Sequence, residues 1–362
     1  MEASTRDRWL ALNYAAAIFT SAFLLFQVQP LVSKHILPWF GGGPAVWTTC
    51  LLFFQTLLFF GYAYAHFIHA KFRLRQQVAV HIGLVIAAIV FARVLPGESW
   101  EPRGGEDPVK SILLILAVSV GLPYFVLSAT GPLLQAWFAH SFPGRSPYRL
   151  YALSNVGSLL ALLSYPFYFE RQFSVPQQAQ IWQVGFVLYG ALCGYAAWRL
   201  WTCSGVSPTS SRVSPPSGSE FRRNSATWEE PRFTQRILWL VWPTFASIVL
   251  MATTNHVSTD IAVMPFLWVA PLALYLITFI IAFDRPGWYF RMPLAVLILV
   301  AVYLTALVHS LGIGTSRVFD AGTPGLILSP MSLLISPLAE SPEFRLGTST
   351  FLAINFATMF FI

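Results

Sequence analysis

An all-α polytopic membrane protein of nine or ten transmembrane helices is the fold this sequence predicts, and three observations predict it. Hydrophobic residues fill 56% of the 362 positions and charged residues only 10%, with a mean hydropathy of +0.62. A soluble domain carries about 25% charged residues. The apolar residues come in runs of about 20, the length that crosses ~30 Å of hydrocarbon at about 1.5 Å rise per residue. Those runs are apolar all round rather than alternating at every second residue, which excludes an outer-membrane barrel.

The first run, 10–29, is too long for a signal-peptide core and continues straight into "FQVQP", so it reads as an uncleaved helix. "QVQPLVSKHILPWFGGGPAVW" (27–47) follows, rich in helix breakers. It is expected to form a re-entrant bend, with Lys34 snorkelling and Trp39 and Trp47 anchored at the interface. Gly41-Gly42-Gly43-Pro44 permits a tight reversal and is no phosphate loop, since no GK[ST] follows and no strand precedes it. Further helices are placed near 45–68, 77–96, 111–139, 149–168 and 178–201. Pro123 and Pro132 lie inside the fourth, which is too long for one straight span, so a kink or break is expected there. Residues 203–235, dominated by serine, proline and arginine, read as a flexible cytoplasmic linker. The chain thus divides into a six-helix group (1–202), the linker, and a second membrane group (236–362). That group holds helices near 236–256, 260–283 and 291–311, and a run from 348 to Ile362 too short to span, so the chain is expected to be truncated. "VLSAT" (126–130) and "VLMAT" (249–253), on helices of opposite direction, hint at an inverted repeat.

Orientation follows from the loop cations. With the N-terminus inside, only Lys34, Arg93, Arg103, Lys110, Arg171, Arg317 and Arg345 of the 22 lysines and arginines fall outside. The N-terminus is therefore expected in the cytoplasm, and the net charge of +7 reflects membrane orientation rather than nucleic-acid binding. Cys50, Cys193 and Cys203 lie far apart and form no CxxC pair, so neither a disulfide framework nor a metal knuckle is indicated. No cofactor motif is present, and none is expected.

All fifteen acids fall in loops or within about a turn of a helix end, which argues against the usual proton-relay carboxylate. Four polar groupings remain. Lys34 and His35 sit at the outer interface as anchors, with an anion-binding role for Lys34 as the alternative and both residues as candidate binding positions. "MATTNHVSTD" (251–260) is the densest polar stretch. Its His256 and Asp260 share a helix face four residues apart and suit proton handling or metal support, while Ser258, Thr259 or Asp260 equally suits an N-cap. Asn255 stands beside them. His66, His69 and His81 bracket the inner turn between the second and third helices, and a short hairpin could join them as metal ligands. Gln27, Gln29 and Gln55, with Ser154, Asn155, Gly157 and Ser158, have the small-and-amide spacing by which membrane helices pack; Asn13 reads likewise.

Several stretches together resemble a family. "FQVQPLVSKHILPWFGGGPAVWTTCLLFFQTLLFFGYAYAH", "LPYFVLSATGPLLQAWFA", "PYRLYALSNVGSLLALLSYPF" and "ATTNHVSTDIAVMPFLWVAPLALYLITFIIAFD" are similar to the membrane region of bacterial fused transporter-like/spermidine-synthase-like proteins. Six helices followed by a long inner loop also resembles the major-facilitator layout, although "AKFRLRQQ" stands where GxxxDRxGRR would be. The residues that match are Lys34, Gly41, Gly42, Pro44, Trp47, Asn255, His256, Asp260 and Pro265. The resemblance implies a multi-pass protein of the bacterial inner membrane, joined to or partnered by a soluble domain similar to polyamine aminopropyltransferases. No glycine-rich βαβ unit for that chemistry follows residue 235. The expectation is a transporter-like or solute-sensing domain in the lipid bilayer, with Lys34, His35, Asn255, His256 and Asp260 facing a small polar or cationic solute. The alternatives are the anchor of an aminopropyltransferase-type enzyme whose catalytic domain lies elsewhere, or a purely structural anchor. This chain alone is not expected to be an enzyme.

Overall fold

A computed structural model describes residues 2–41, 44–91, 94–97, 100–102, 107–143, 145, 147–203 and 269–284, with the single positions 234, 237, 241, 244, 247 and 248. Among these residues there is no strand, and six helices are long and apolar enough to cross a membrane. All six belong to one compact unit, Met1–Gly218 with Phe279–Asp284. The predicted helices near 291–311 and 348–362, and nearly all of those near 236–256 and of the linker, lie outside the described residues. The one expected near 260–283 is described as a helix over Val269–Asp284, here α9.

The first span is α1, Glu2–Ile36, extended by a 3₁₀ turn over Leu37–Phe40. The re-entrant bend expected after residue 29 is not there: α1 runs through Pro30, and the chain turns only at Gly41, whose φ of 78° is the left-handed conformation glycine adopts freely. A proline within a membrane helix is tolerated when neighbours supply the lost donors. In the turn before Pro30, Trp182 Nε1 donates to the Leu24 carbonyl at 2.8 Å and Gln29 Nε2 to that of Leu25 at 3.4 Å, polar ties that hold this part of α1 to its surroundings.

Helix α2, Pro44–Lys71, and α3, Leu74–Phe91, are the second and third spans, joined by a two-residue turn at Phe72–Arg73. Side chains close that turn. Gln76 Oε1 accepts from the Arg73 N–H at 3.0 Å, and Gln77 Nε2 donates to the Phe72 carbonyl at 2.9 Å, so groups that a helix end leaves unpaired are satisfied. The fourth span is α4, Pro108–Leu116, a π-helical segment over Ala117–Gly121, and α5, Leu122–Ser141. Asp107 caps its start by accepting from the Val109 N–H, and Pro108 occupies the position where a missing N–H costs nothing. The break expected at Pro123 is instead a change of register. Pro123 cannot donate four residues back, and the π segment just before it absorbs the mismatch in an unbroken 34-residue span. The fifth span repeats the device: α6, Tyr148–Ser164, a π segment over Tyr165–Phe169 containing Pro166, and the short α7, Glu170–Gln172. The sixth is α8, Val175–Cys203.

Packing among the spans has a pattern of its own. The first span packs on the fourth, fifth and sixth; the fourth also receives the second and third; the third and sixth pack together. Exchanging the first with the fourth, the second with the fifth and the third with the sixth maps this set onto itself. The principal contacts are therefore symmetric under that exchange. The first and fourth spans each carry an interior Pro-Leu pair, Pro30-Leu31 and Pro132-Leu133. This pattern concerns only the six spans. The "VLSAT"/"VLMAT" pair expected from sequence is a different one, and residues 249–253 lie outside the described set. Close approach needs glycine at two contacts: a Cβ on Gly157 would sit 2.8 Å from the Phe19 carbonyl oxygen, and one on Gly61 would meet Ser128 Oγ.

Candidate functional site

Polar groups collect at the end of the bundle where α1 finishes, the side that the loop cations predict to be outer. His35 Nε2 hydrogen bonds the Pro96 carbonyl at 3.3 Å beyond the end of α3, and its ring lies edge-on to Trp39 with centroids 5.2 Å apart. Lys34 forms an ion pair with Glu170 of α7. Both residues chosen from sequence are thus engaged within the protein, as ties from α1 to the neighbouring spans. The Lys34 side chain is 43% exposed and that of Glu170 20%, so the pair itself contributes only about 0.2–1 kcal/mol.

The π segment creates the geometry around Glu170. Its backbone N–H donates to the carbonyl of Tyr165, five residues back, so Tyr165 and Glu170 share one wide turn. From α8, Gln178 Nε2 donates to the carbonyls of Phe169 at 3.3 Å and Phe173 at 2.8 Å, clamping its amide onto the α7–α8 turn. Three oxygens here are buried without a hydrogen-bond partner among the described residues: Glu170 Oε2, Tyr165 Oη and Gln178 Oε1. Tyr165 is 3% exposed and Gln178 5%. Buried polar atoms left unpaired cost about 1–3 kcal/mol each. Two of the three can only accept, and Tyr165 can do either. Each of these oxygens can accept a hydrogen bond, while Lys34 already partners the other carboxylate oxygen of Glu170.

The other sequence candidates fall into three cases. Asn255, His256 and Asp260 lie outside the described residues. The His66, His69 and His81 triad does not converge: His66 and His69 lie exposed on α2, while His81 is fully buried on α3. Among the described residues, no group of three His, Cys, Asp or Glu is placed to hold a metal ion. A three-residue spacing fixes which face two histidines share but not which way that face points. The remaining amides and hydroxyls pack as expected of membrane helices. Asn13 Nδ2 donates to the Leu192 carbonyl at 3.0 Å, Asn155 Nδ2 to that of Tyr151 at 3.0 Å, and Ser158 Oγ to that of Ser154 at 3.1 Å. Glu170, Tyr165 and Gln178 escaped the sequence reading. The available signal was charge: Glu170 closes "SYPFYFE" on the side predicted to hold Lys34.

The fold and these contacts define a multi-pass α-helical integral membrane protein. Comparison with known protein families, with curated proteins and with solved structures finds no match.

Proposed function

We propose that this chain is a transporter-like, solute-handling membrane domain whose ligand is a small ammonium-bearing solute, received at Glu170, Tyr165 and Gln178. The observation that carries the proposal is the exchange-symmetric contact pattern of the six spans, with two long proline-bearing helices as counterparts, which is the pattern an inverted repeat would give. Repeats of this kind underlie alternating access, in which one half rocks against the other. The unpaired oxygens supply the ligand chemistry, since a protonated amine satisfies several acceptors at once. The quoted family resemblance supports the same class and adds a soluble partner domain of the polyamine aminopropyltransferase type. It equally suits an anchor for such an enzyme, which would bind no solute of its own. A thermal-shift screen of the detergent-purified chain tests the proposal. Primary amines are expected to raise the melting temperature, while carboxylates and simple uncharged amides such as acetamide leave it unchanged. Stabilisation by none of these, or by carboxylates alone, overturns it.

A further inference from the structure

A second group of unpaired polar atoms lies at the opposite end of the bundle, in the half where α2 ends and α3 begins. His81 is 0% exposed, and both ring nitrogens lack a hydrogen-bond partner among the described residues. The Tyr64 hydroxyl of α2 is buried and unpaired in the same way. The two rings lie together, with centroids 6.2 Å apart and planes 32° apart. Trp137 of α5 closes the far side of His81, edge-on at 6.0 Å, and Phe125 packs on Tyr64 at 5.1 Å. Each residue stands seven positions from its helix end, about 10 Å along the axis, well inside the hydrocarbon depth.

Neighbouring polar groups are committed elsewhere. The single donor of Trp137 goes to Gln77 Oε1 at 3.2 Å, and the Gln77 amide nitrogen to the Phe72 carbonyl. The Tyr189 hydroxyl is paired with Thr130 Oγ1 at 2.5 Å. A leucine in place of this imidazole would leave no ring nitrogen unpaired. A polar residue held within a membrane bundle ordinarily marks a site.

We propose that His81 and Tyr64 bind one small hydroxyl-bearing guest. A neutral imidazole offers one donor and one acceptor, and the phenol can play either role. A guest O–H therefore satisfies a ring nitrogen and the Tyr64 oxygen together. Any single guest leaves one of the two ring nitrogens unpaired; a hydroxyl, unlike a bare cation or an anion, both donates and accepts, so it can serve either ring nitrogen together with the Tyr64 hydroxyl. An internal water, which needs at least two polar partners, and the hydroxyl of a small alcohol share this chemistry. The site is independent of whether the domain transports a solute.

Thermal stability of the full chain in detergent tests it through the sign of one substitution. If a guest bridges the pair, Tyr64→Phe lowers the melting temperature by a few degrees, and that loss disappears in a His81→Leu background. If the pair is dry, Tyr64→Phe removes an orphaned hydroxyl, and stability is unchanged or rises. An unchanged or raised melting temperature in Tyr64→Phe, or an equal loss in both backgrounds, overturns the proposal. Should His81→Leu fail to fold, the sign for Tyr64→Phe decides alone. Glycerol separates the two sources once that sign is a loss. A larger glycerol-induced rise in the wild type than in Tyr64→Phe assigns the guest as an alcohol, and equal rises assign it as water.

Discussion

Gly157→Ala probes the contact on which the bundle turns, that of the fifth span with the first. The added Cβ would stand 2.8 Å from the Phe19 carbonyl oxygen, 3.3 Å from the Phe19 ring and 3.5 Å from Ala22 Cβ. A carbon meets a carbonyl oxygen comfortably at about 3.3–3.6 Å, so the helices must part locally by roughly 0.5–0.8 Å. The closest atom belongs to backbone, and no rotamer change relieves it. Overpacking of this kind costs about 1–3 kcal/mol. Alanine's better helix propensity returns about 0.8–1.0 kcal/mol. Gly83→Ala isolates the clash, because a Cβ there meets nothing within 4 Å and gains the same propensity. The two variants should therefore differ by about 1–3 kcal/mol, with Gly157→Ala the less stable. At about 2–4 °C per kcal/mol for domains of 150–250 residues, that is a gap of several degrees in melting temperature. Thermal unfolding of both variants in one detergent measures it. Equal melting temperatures, or a more stable Gly157→Ala, would refute the close α1–α6 approach.

Further predictions are simpler. Trp182→Phe removes the donor to the Leu24 carbonyl near Pro30 and should destabilise the chain by about 1–3 kcal/mol, read as a lower melting temperature. Asp107→Ala deletes the cap on α4 and should cost about 0.5–2 kcal/mol by the same assay. The N-terminus and the 203–235 segment are predicted cytoplasmic. Cys50 and Cys193 are buried, so an impermeant thiol reagent should leave intact spheroplasts unlabelled and label Cys203 after the membrane is opened; labelling before opening would reverse the orientation.

Much of the six-span architecture was legible in the sequence, because span length and all-round apolarity follow directly from bilayer thickness. Ends were less legible. The reading stopped the first helix at residue 29 because proline breaks helices in water, whereas a helix packed within a membrane bundle carries Pro30 without ending. The same habit predicted a break at Pro123, where a π segment absorbs the mismatch. The orientation of side chains about each helix was least legible. A span bordered by lipid on one side and by protein on another is apolar on both, so no periodicity separates exposed His66 and His69 from buried His81. At the candidate site, Lys34 and His35 stood out as polar residues in an apolar run. Glu170, Tyr165 and Gln178 are brought together by a π turn and a side-chain clamp that leave no mark in residue spacing.

Uptake of a small primary amine into proteoliposomes, by the wild type and by Glu170→Gln, tests the central claim most directly. The substitution keeps the shape of the side chain and removes a partly exposed ion pair of small energy, so the variant is expected to fold. The account predicts saturable uptake by the wild type above protein-free vesicles, largely lost in Glu170→Gln. Uptake equal to that of empty vesicles, or uptake that Glu170→Gln leaves unchanged, would contradict it.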